Sequence, residues 1–537
     1  MGTIRLGGRH GTRTQRQARS RNARGSNRSK YGGHCGRQTE QAPCPGREGR
    51  MSRPIGKTLQ SRILNPAIGL LLLAIPFCGA APPPAPVEFR GAWVHYQDYV
   101  SAAAVSRTVA KAKRLGLNAL LPLANHPDNL MFRSTLQPLN KKVQKGFDPL
   151  LELAKAAHAE GIEVHPYFLT LNGKLNGVGT KLAKFRMLDR AGKTSSDWLC
   201  PTHPEVRQYF VQLVTDCLYA GVDGVQLDYI RYPDDARFCY CAACRAAFKA
   251  ESGMDPIAFA PQSRPTLAQL QDCRDRPGYR EWSAWRRQQV TQLAKELSDA
   301  VRAKRPGTKV SAAAGTQEVD QFHVFRDGAA WLRAGLVDFL CPMMYVVDEE
   351  AFRTRAAAEL LALRPQEYGS LFSGLPAYKL RGSPQRLVEH VASAREFGFG
   401  GVCLFPLEYL DESAVRALSD GPFQEPAVLP WRAAAASRPV APQRTPEDFC
   451  RLGLVYKQTG DLERAKLSFY AALALDPKHA DSLHRLAWTL AAMQPAGAAA
   501  PCFERFLAVE PEGVRADEAR AALERLRQPA GAPTNPQ

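Results

Sequence analysis

Between Glu88 and about Asp420 the chain alternates eight short apolar runs with longer helical patterns. The runs cover residues 89–94, 118–123, 163–168, 224–230, 309–314, 337–344, 371–376 and 401–406. Each is too short for a typical helix and reads as a buried strand. Gly116, Gly161 and Gly221 follow the early helical patterns, where a helix stop is expected. Repeated strand–helix units imply a parallel sheet. Eight of them predict an α/β fold of the closed (β/α)8 TIM-barrel type, with reactive groups at the carboxyl ends of the strands. An open doubly wound sheet is the competitor. Against it, no Gly-x-Gly-x-x-Gly follows the first run, and there is no phosphate loop.

The flanks read differently. Residues 1–50 are rich in Arg, Gly, Gln and Ser and cannot form a core, so they are expected to be disordered. From Met51, the basic Arg53, Lys57 and Arg62 precede an apolar stretch at 67–77, and small residues follow Cys78. Residues 51–81 therefore predict a secretory signal peptide, and the protein is expected to be exported, periplasmic or extracellular. Met51 is then the expected initiator, and the only membrane attachment would be an uncleaved signal anchor. A Pro-rich spacer occupies 82–87, the barrel 88–425, and an Ala-, Pro- and Arg-rich linker 426–445.

Residues 446–527 predict a small all-α domain of tetratricopeptide hairpins. Phe449, Leu452, Gly453, Tyr456, Gly460, Ala465, Phe469, Ala472 and Pro477 fit one repeat. A second copy, offset by 34 residues, contains Leu483, Leu486, Ala487, Leu490, Ala499, Phe503 and Pro511. Two repeats are too few for a free-standing solenoid. The module is expected to pack on something else and to bind a protein partner. Residues 528–537 read as a disordered tail.

The net charge of +19 suggests a nucleic-acid partner until its distribution is read. Residues 1–80 carry +13 of it, leaving +6 for the rest of the chain. No dense Lys/Arg stripe with interleaved aromatics appears after them, so no nucleic-acid partner is expected.

The fourth run ends in Asp228-Tyr229-Ile230-Arg231-Tyr232-Pro233. A buried parallel strand has little reason to end that way unless its end faces a site. An ion pair closing the strand is the plain alternative. The other strand ends add Trp93, His95, Tyr96, Asn125, His126, His165, Tyr167, Asn172, Gln317, Glu318, Tyr345, Asp348, Tyr378, Glu408 and Tyr409. Aromatics, amides and carboxylates suit a polysaccharide: sugar C–H faces stack on rings, and hydroxyls bond polar groups. Glycoside hydrolysis needs two carboxyl groups, one to protonate the leaving oxygen and one to attack or activate water. Asp228 is the first candidate, with Arg231 expected to help keep it ionised. Glu408 and Glu318 are candidates for the second, the proton-donating acid, with Asp348 behind them. Trp93, His95, Asn125, His165, Tyr167, Tyr229, Arg231, Tyr345 and Asp348 are the candidate substrate contacts. A catalytic metal on two histidines and Asp228 is disfavoured because no His-x-His follows the first strand. No cofactor is required for this chemistry. A non-catalytic glycan-binding barrel, or a scaffold acting through the repeats, is the alternative reading.

Ten of the 13 cysteines follow the signal peptide. Cys239, Cys241 and Cys244 form a tight cluster in the loop after the fourth strand. Three thiolates so close suit a structural zinc, with Cys200 or Cys273 as fourth ligand. Export favours disulfides instead. Cys341 and Cys403 lie in strands and read as buried free thiols.

Residues 88–411 resemble the glycosyl-hydrolase-like family ten, secreted bacterial barrels related to glycosidases. The resemblance rests on Phe89-Arg90-Gly91-Ala92-Trp93-Val94, Glu163-Val164-His165, Trp198-Leu199-Cys200-Pro201 with His203-Pro204-Glu205-Val206-Arg207, the block from Gly221 to Pro233, and Asp338-Phe339-Leu340-Cys341-Pro342-Met343-Met344-Tyr345. It implies a (β/α)8 fold and hydrolysis of a glycan, with some members acting on peptidoglycan, and it makes Asp228 catalytic. The sequence departs from the family after the fifth strand. There Ala312-Ala313-Ala314-Gly315-Thr316 replaces a Ser-Pro-containing strand end.

Overall fold

The computed structural model describes residues 85–433 and 444–527, apart from 128, 175–180, 235, 260–264, 267–268, 271–272, 274–275, 361, 459 and 494–495. The expected basic segment, signal peptide, most of the spacer, and tail lie outside the described residues. The chain divides into Met1–Ala80 and Ala81–Gln537, and every described residue belongs to the second.

The barrel strands are β1 (Phe89–Val94), β2 (Ala119–Pro122), β3 in two pieces (Glu163–Val164 and Tyr167–Leu169), β4 (Gly224–Asp228), β5 (Lys309–Ala312), β6 (Phe339–Leu340), β7 (Phe372–Pro376) and β8 (Gly401–Phe405). All pair in parallel with their sequence neighbours. Gly91 sits opposite Ala119, Ala119 opposite Glu163, Tyr167 opposite Gln226, Lys309 opposite Gly224, and Ser311 opposite Phe339. Bridges Leu340–Leu371 and Met343–Gly374 join β6 to β7. Phe372–Gly401 and Phe89–Gly401 then carry β7 through β8 back to β1. The circle is closed, as eight strand–helix units predict. The two pieces of β3 flank His165 and Pro166, where proline has no N–H for the ladder.

Helices follow the strands: α1 (Ala102–Arg114), α2 (Pro149–Ala159), α3 (Pro204–Asp216), α4 (Ala242–Ser252), α5 (Tyr279–Lys304), α6 (Gly328–Arg333), α7 (Glu349–Leu360), α8 (Pro384–Glu396) and α9 (Glu412–Ser419). Ser101 and Asp148 cap α1 and α2 by accepting from Ala104 and Leu151 N–H. Gly221, at φ +78, ends the turn between α3 and β4.

The strands' amino ends are sealed by an aromatic floor. Phe89 stacks on Phe372 with centroids 4.3 Å apart, and Trp431 stacks on Phe339 at 5.5 Å. Val428 bridges Val87, and Arg432 and Trp431 bond Glu163, so the start of the expected linker is part of the barrel. His165 lies in this floor. It is fully buried, its Nε2 lies 2.9 Å from Glu163 Oε2, and its ring faces Phe89, Phe339 and Trp431. A Cβ on Gly224 would come within 2.1 Å of His165 Nδ1, so β4 must start with glycine. The expectation that His165 contacts substrate is therefore corrected: it packs at the opposite end from the strands' carboxyl ends.

Beyond the barrel lie α10 (Pro446–Gln458), α11 (Leu462–Leu475), α12 (Ala480–Ala492), α13 (Ala500–Val509) and α14 (Val514–Arg527). They form two hairpins and a last helix around Phe469, Leu483, Leu486, Phe503 and Phe506. The hairpin layer does not float. α10 packs on α7, Arg444 bonds Leu360 O and Tyr368 Oη at 2.6 and 2.7 Å, and Arg451 pairs with Glu350. Among the described residues no helix is long and apolar enough to cross a membrane.

Candidate active site

Three carboxyl groups meet the carboxyl ends of the strands: Asp228 from β4, Glu408 from the turn after β8, and Asp98 from the turn after β1. Asp228 is only partly exposed, and its Oδ1 accepts the Tyr229 N–H at 2.7 Å. That contact comes with a left-handed backbone at Tyr229, φ +52, a conformation non-glycine residues adopt at a cost. Burial raises the Asp228 pKa to about 6, against the Tyr229 N–H and the Arg231 and Arg326 charges. Arg231 lowers it as expected, but burial outweighs that charge. Its guanidinium pairs with Asp234 at 2.8 Å and lies over the rings of Trp198 and Tyr229.

Glu408 is driven the other way. Burial opposes its charge, but hydrogen bonds with His95 and Asp98 and the charges of His95 and Lys111 outweigh it and hold its pKa below the usual range. His95 Nδ1 lies 2.8 Å from Glu408 Oε1. Lys111, on α1, donates to Leu407 O and Leu410 O at 2.9 and 2.6 Å and so fixes the turn that presents Glu408. Asp98 faces Glu408, and its Oδ2 is buried without a donor. Two carboxyls in contact need a shared proton. Burial, then the hydrogen bond and charge of Glu408, push the Asp98 pKa up to about 7. Tyr167 feels both centres: its pKa is raised well above normal by burial, then by the charges of Asp228 and Glu408. Tyr345 is raised likewise by burial and Asp228. Tyr345 stacks on Phe405 at 5.4 Å, the exposed Tyr378 meets Tyr345, and the exposed Tyr409 meets Tyr378.

A family model described as glycosyl hydrolase-like 10 matches residues 88–386, more than half of the chain. The chain belongs to the glycosyl hydrolase-like 10 family. A tetratricopeptide repeat model matches residues 449–479. The chain is 20% identical over 439 residues to the glycosyl hydrolase YngK of Bacillus subtilis, covering 70% of this chain and 79% of that one. Solved structures similar to it include α-L-fucosidase isoenzyme 2 of Paenibacillus thiaminolyticus, at 16% identity and TM-score 0.45, covering 62% of this chain and 48% of that one. The catalytic domain of β-amylase of Paenibacillus polymyxa is similar at 11% identity and TM-score 0.45, covering 65% of this chain and 100% of that one. This chain thus spans about half the length of the fucosidase.

On this glycosyl hydrolase-like barrel, other candidates stand apart from the mouth. Glu318 is ion-paired with Arg464 of α11, so it faces the helical repeats and is corrected as a candidate acid. Asp348 accepts from Ala351 N–H at 2.8 Å and caps α7, the ordinary role of such a residue. Asn125 is buried and uses both side-chain ends on the backbone of Leu169, at 3.0 and 2.8 Å. Trp93 is buried, with its indole N–H on Gln226 Oε1 at 2.6 Å and its ring against Phe405. Asn125 and Trp93 support the mouth from beneath and are corrected as substrate contacts.

Asp98, Lys111 and Arg326 were not singled out from sequence. Asp98 sits three residues beyond His95, and its position just after a barrel strand was the available signal. Lys111 and Arg326 had none, because the first reaches the site from a helix and the second from a loop after β5. The cysteines also gather. Sγ atoms of Cys200, Cys239, Cys241 and Cys244 all lie within 4.8 Å of one another, and all four residues are buried. Cys273 is not among them. No described cysteine is in a disulfide.

Proposed function

We propose that this chain is an exported glycoside hydrolase that cleaves glycosidic bonds of a polysaccharide by carboxyl acid/base catalysis. The reading rests on one observation: Asp228 and Glu408 occupy the same mouth with pKa values driven in opposite directions. Paired groups split in this way take different roles. Asp228, held protonated into the mildly acidic range, is the acid that protonates the leaving oxygen. Glu408, held ionised, is the nucleophile or the base that activates water. Asp98 and Lys111 are positioning residues for Glu408. Tyr345, Tyr378 and Tyr409 offer rings to the sugar faces.

Peptidoglycan glycan strands head the substrate panel, because the family resemblance points there. The residues 51–81 support export. In this reading the tetratricopeptide tail recruits a protein partner, with Leu467, Tyr470 and Leu475 leaving apolar surface of α11 exposed. The test is release of reducing ends from cell-wall and exopolysaccharide preparations. Asp228→Asn and Glu408→Gln should each lower it by about 10²–10⁴-fold while glycan binding persists. Wild-type protein that binds a glycan and cuts none of the panel would make this a binding barrel instead.

A further inference from the structure

Four cysteines from two separate loops converge beside the proposed active site. Cys200 ends the antiparallel hairpin of Arg186–Leu188 and Thr194–Leu199, which follows β3. Cys239, Cys241 and Cys244 come from the loop after β4 and the first turn of α4. Cys200 Sγ lies 3.3 Å from Cys244 Sγ and 3.9 Å from Cys241 Sγ.

Those spacings discriminate between the two chemistries open to a thiol cluster. A disulfide brings two sulfurs to about 2.05 Å and leaves each with one partner. A tetrahedral ion with metal–sulfur bonds of about 2.3 Å sets all sulfurs near 3.8 Å from one another. Here every sulfur has three sulfur neighbours within 4.8 Å, which is the second pattern.

The surroundings suit a dianionic thiolate cluster. Cys241 is the N-cap of α4, and Cys244 lies in the first turn of that helix, where the positive end of the helix dipole favours thiolates. Thr202 Oγ1 lies 3.2 Å from Cys244 Sγ, and His203 Nε2 lies 3.8 Å from Cys241 Sγ. These are the outer hydrogen bonds that thiolate ligands of a metal require. His203 is in turn the N-cap of α3 and packs on Phe185 at 4.7 Å.

We infer that Cys200, Cys239, Cys241 and Cys244 form a closed structural zinc site that clamps the loops after β3 and β4 together. With four protein ligands the ion has no open position, so it is structural and not catalytic. What it holds is one wall of the mouth. Trp198 stands two residues before Cys200, and its ring meets Tyr229 at 5.7 Å and Arg231 at 5.2 Å. Tyr229 adjoins Asp228. Tyr240 N–H donates to Leu188 O at 2.8 Å, so the clamp continues a backbone contact already joining the two loops. The site assignment does not depend on the hydrolase reading.

The full chain, purified without chelator, should contain about one zinc per molecule by elemental mass spectrometry. Four thiols should become reactive toward a thiol reagent only as zinc is released to a chromogenic chelator. Cobalt(II) added in place of zinc should give the ligand-to-metal charge transfer and visible bands of tetrahedral thiolate coordination. Cys200→Ser should lose zinc, whereas Cys273→Ser should keep a full complement. If Cys200→Ser fails to fold, the cobalt spectrum of wild type still decides. Metal-free protein that rejects cobalt, or disulfides found among these four cysteines by mass spectrometry, would overturn the site. An intact zinc content in soluble Cys200→Ser would overturn this ligand set.

Discussion

His95 Nδ1 and Glu408 Oε1 lie 2.8 Å apart, joining the end of β1 to the turn after β8 across the seam where the barrel closes. This contact is one of those that keep Glu408 ionised. His95→Phe removes it and leaves burial less opposed, so the Glu408 pKa rises. The acid limb of kcat/KM should move to higher pH. A hydrogen bond to a charged group contributes about 1.5–3 kcal/mol, so loss at low pH should reach about 10–100-fold. A pH–rate profile with an unmoved acid limb would assign the control of Glu408 elsewhere.

Burial, then the hydrogen bond and charge of Glu408, push the Asp98 pKa up to about 7, so Asp98 is the member of the pair that holds a proton. Asp98→Asn replaces that proton with an amide donor that never ionises. Any inflection near 7 in the kcat/KM profile should vanish, while the alkaline limb near 6 from Asp228 persists. Comparison of the two profiles on one substrate separates the groups.

Asp228 favours the protonated form in the folded state, with a pKa near 6 against an unfolded value of about 3.9. The folded protein thus binds this proton more tightly than the unfolded chain. Its contribution is fully present below about pH 4 and is lost as pH rises through about 6. Asp228→Asn should therefore leave stability nearly unchanged at pH 4 and raise it at pH 7, by at most about 3 kcal/mol. Chemical denaturation at the two pH values checks the sign. A variant more stable by the same amount at both would refute the ionisation argument.

Glu318 faces Arg464 and not the carboxyl cluster of Asp228, Glu408 and Asp98. Glu318→Gln should leave kcat and KM unchanged and alter stability by no more than about 1 kcal/mol, as partly exposed ion pairs do. A large loss of turnover would return Glu318 to the catalytic set.

Trp431 closes the floor against Phe339 and Phe89. Trp431→Ala should cost about 1–3 kcal/mol in chemical denaturation, since Trp431 is only partly buried. KM should not move at temperatures where the variant is folded, because the floor lies at the far end of the strands from the carboxyl cluster.

The closed barrel was legible because hydrophobic periodicity and glycine stops are local properties that repeat along the chain. The Asp228 block was legible for a related reason: a polar cluster interrupts a run that would otherwise be wholly buried. Side-chain direction was not legible. His165 and Tyr167 belong to the same interrupted strand, yet one lies in the floor beside Trp431 and the other feels the Asp228 and Glu408 charges. Trp93 and His95 are two residues apart, and only His95 reaches Glu408. The aromatic composition of strand ends predicted contacts for all of them, but depth along the strand decided which side chains reach the mouth.

By itself, the sequence determined how many strand–helix units there are, which end of each strand bears polar groups, and where a repeated helical module begins. Those follow from spacing and composition over a few residues. Tertiary structure alone decided that Glu408 stands with Asp98 and His95, that Glu318 turns to Arg464, and that Cys200 joins the cluster from Cys239 to Cys244. Each of these pairs residues far apart in the chain. Their energies depend on distance and burial, which exist only once the barrel has closed.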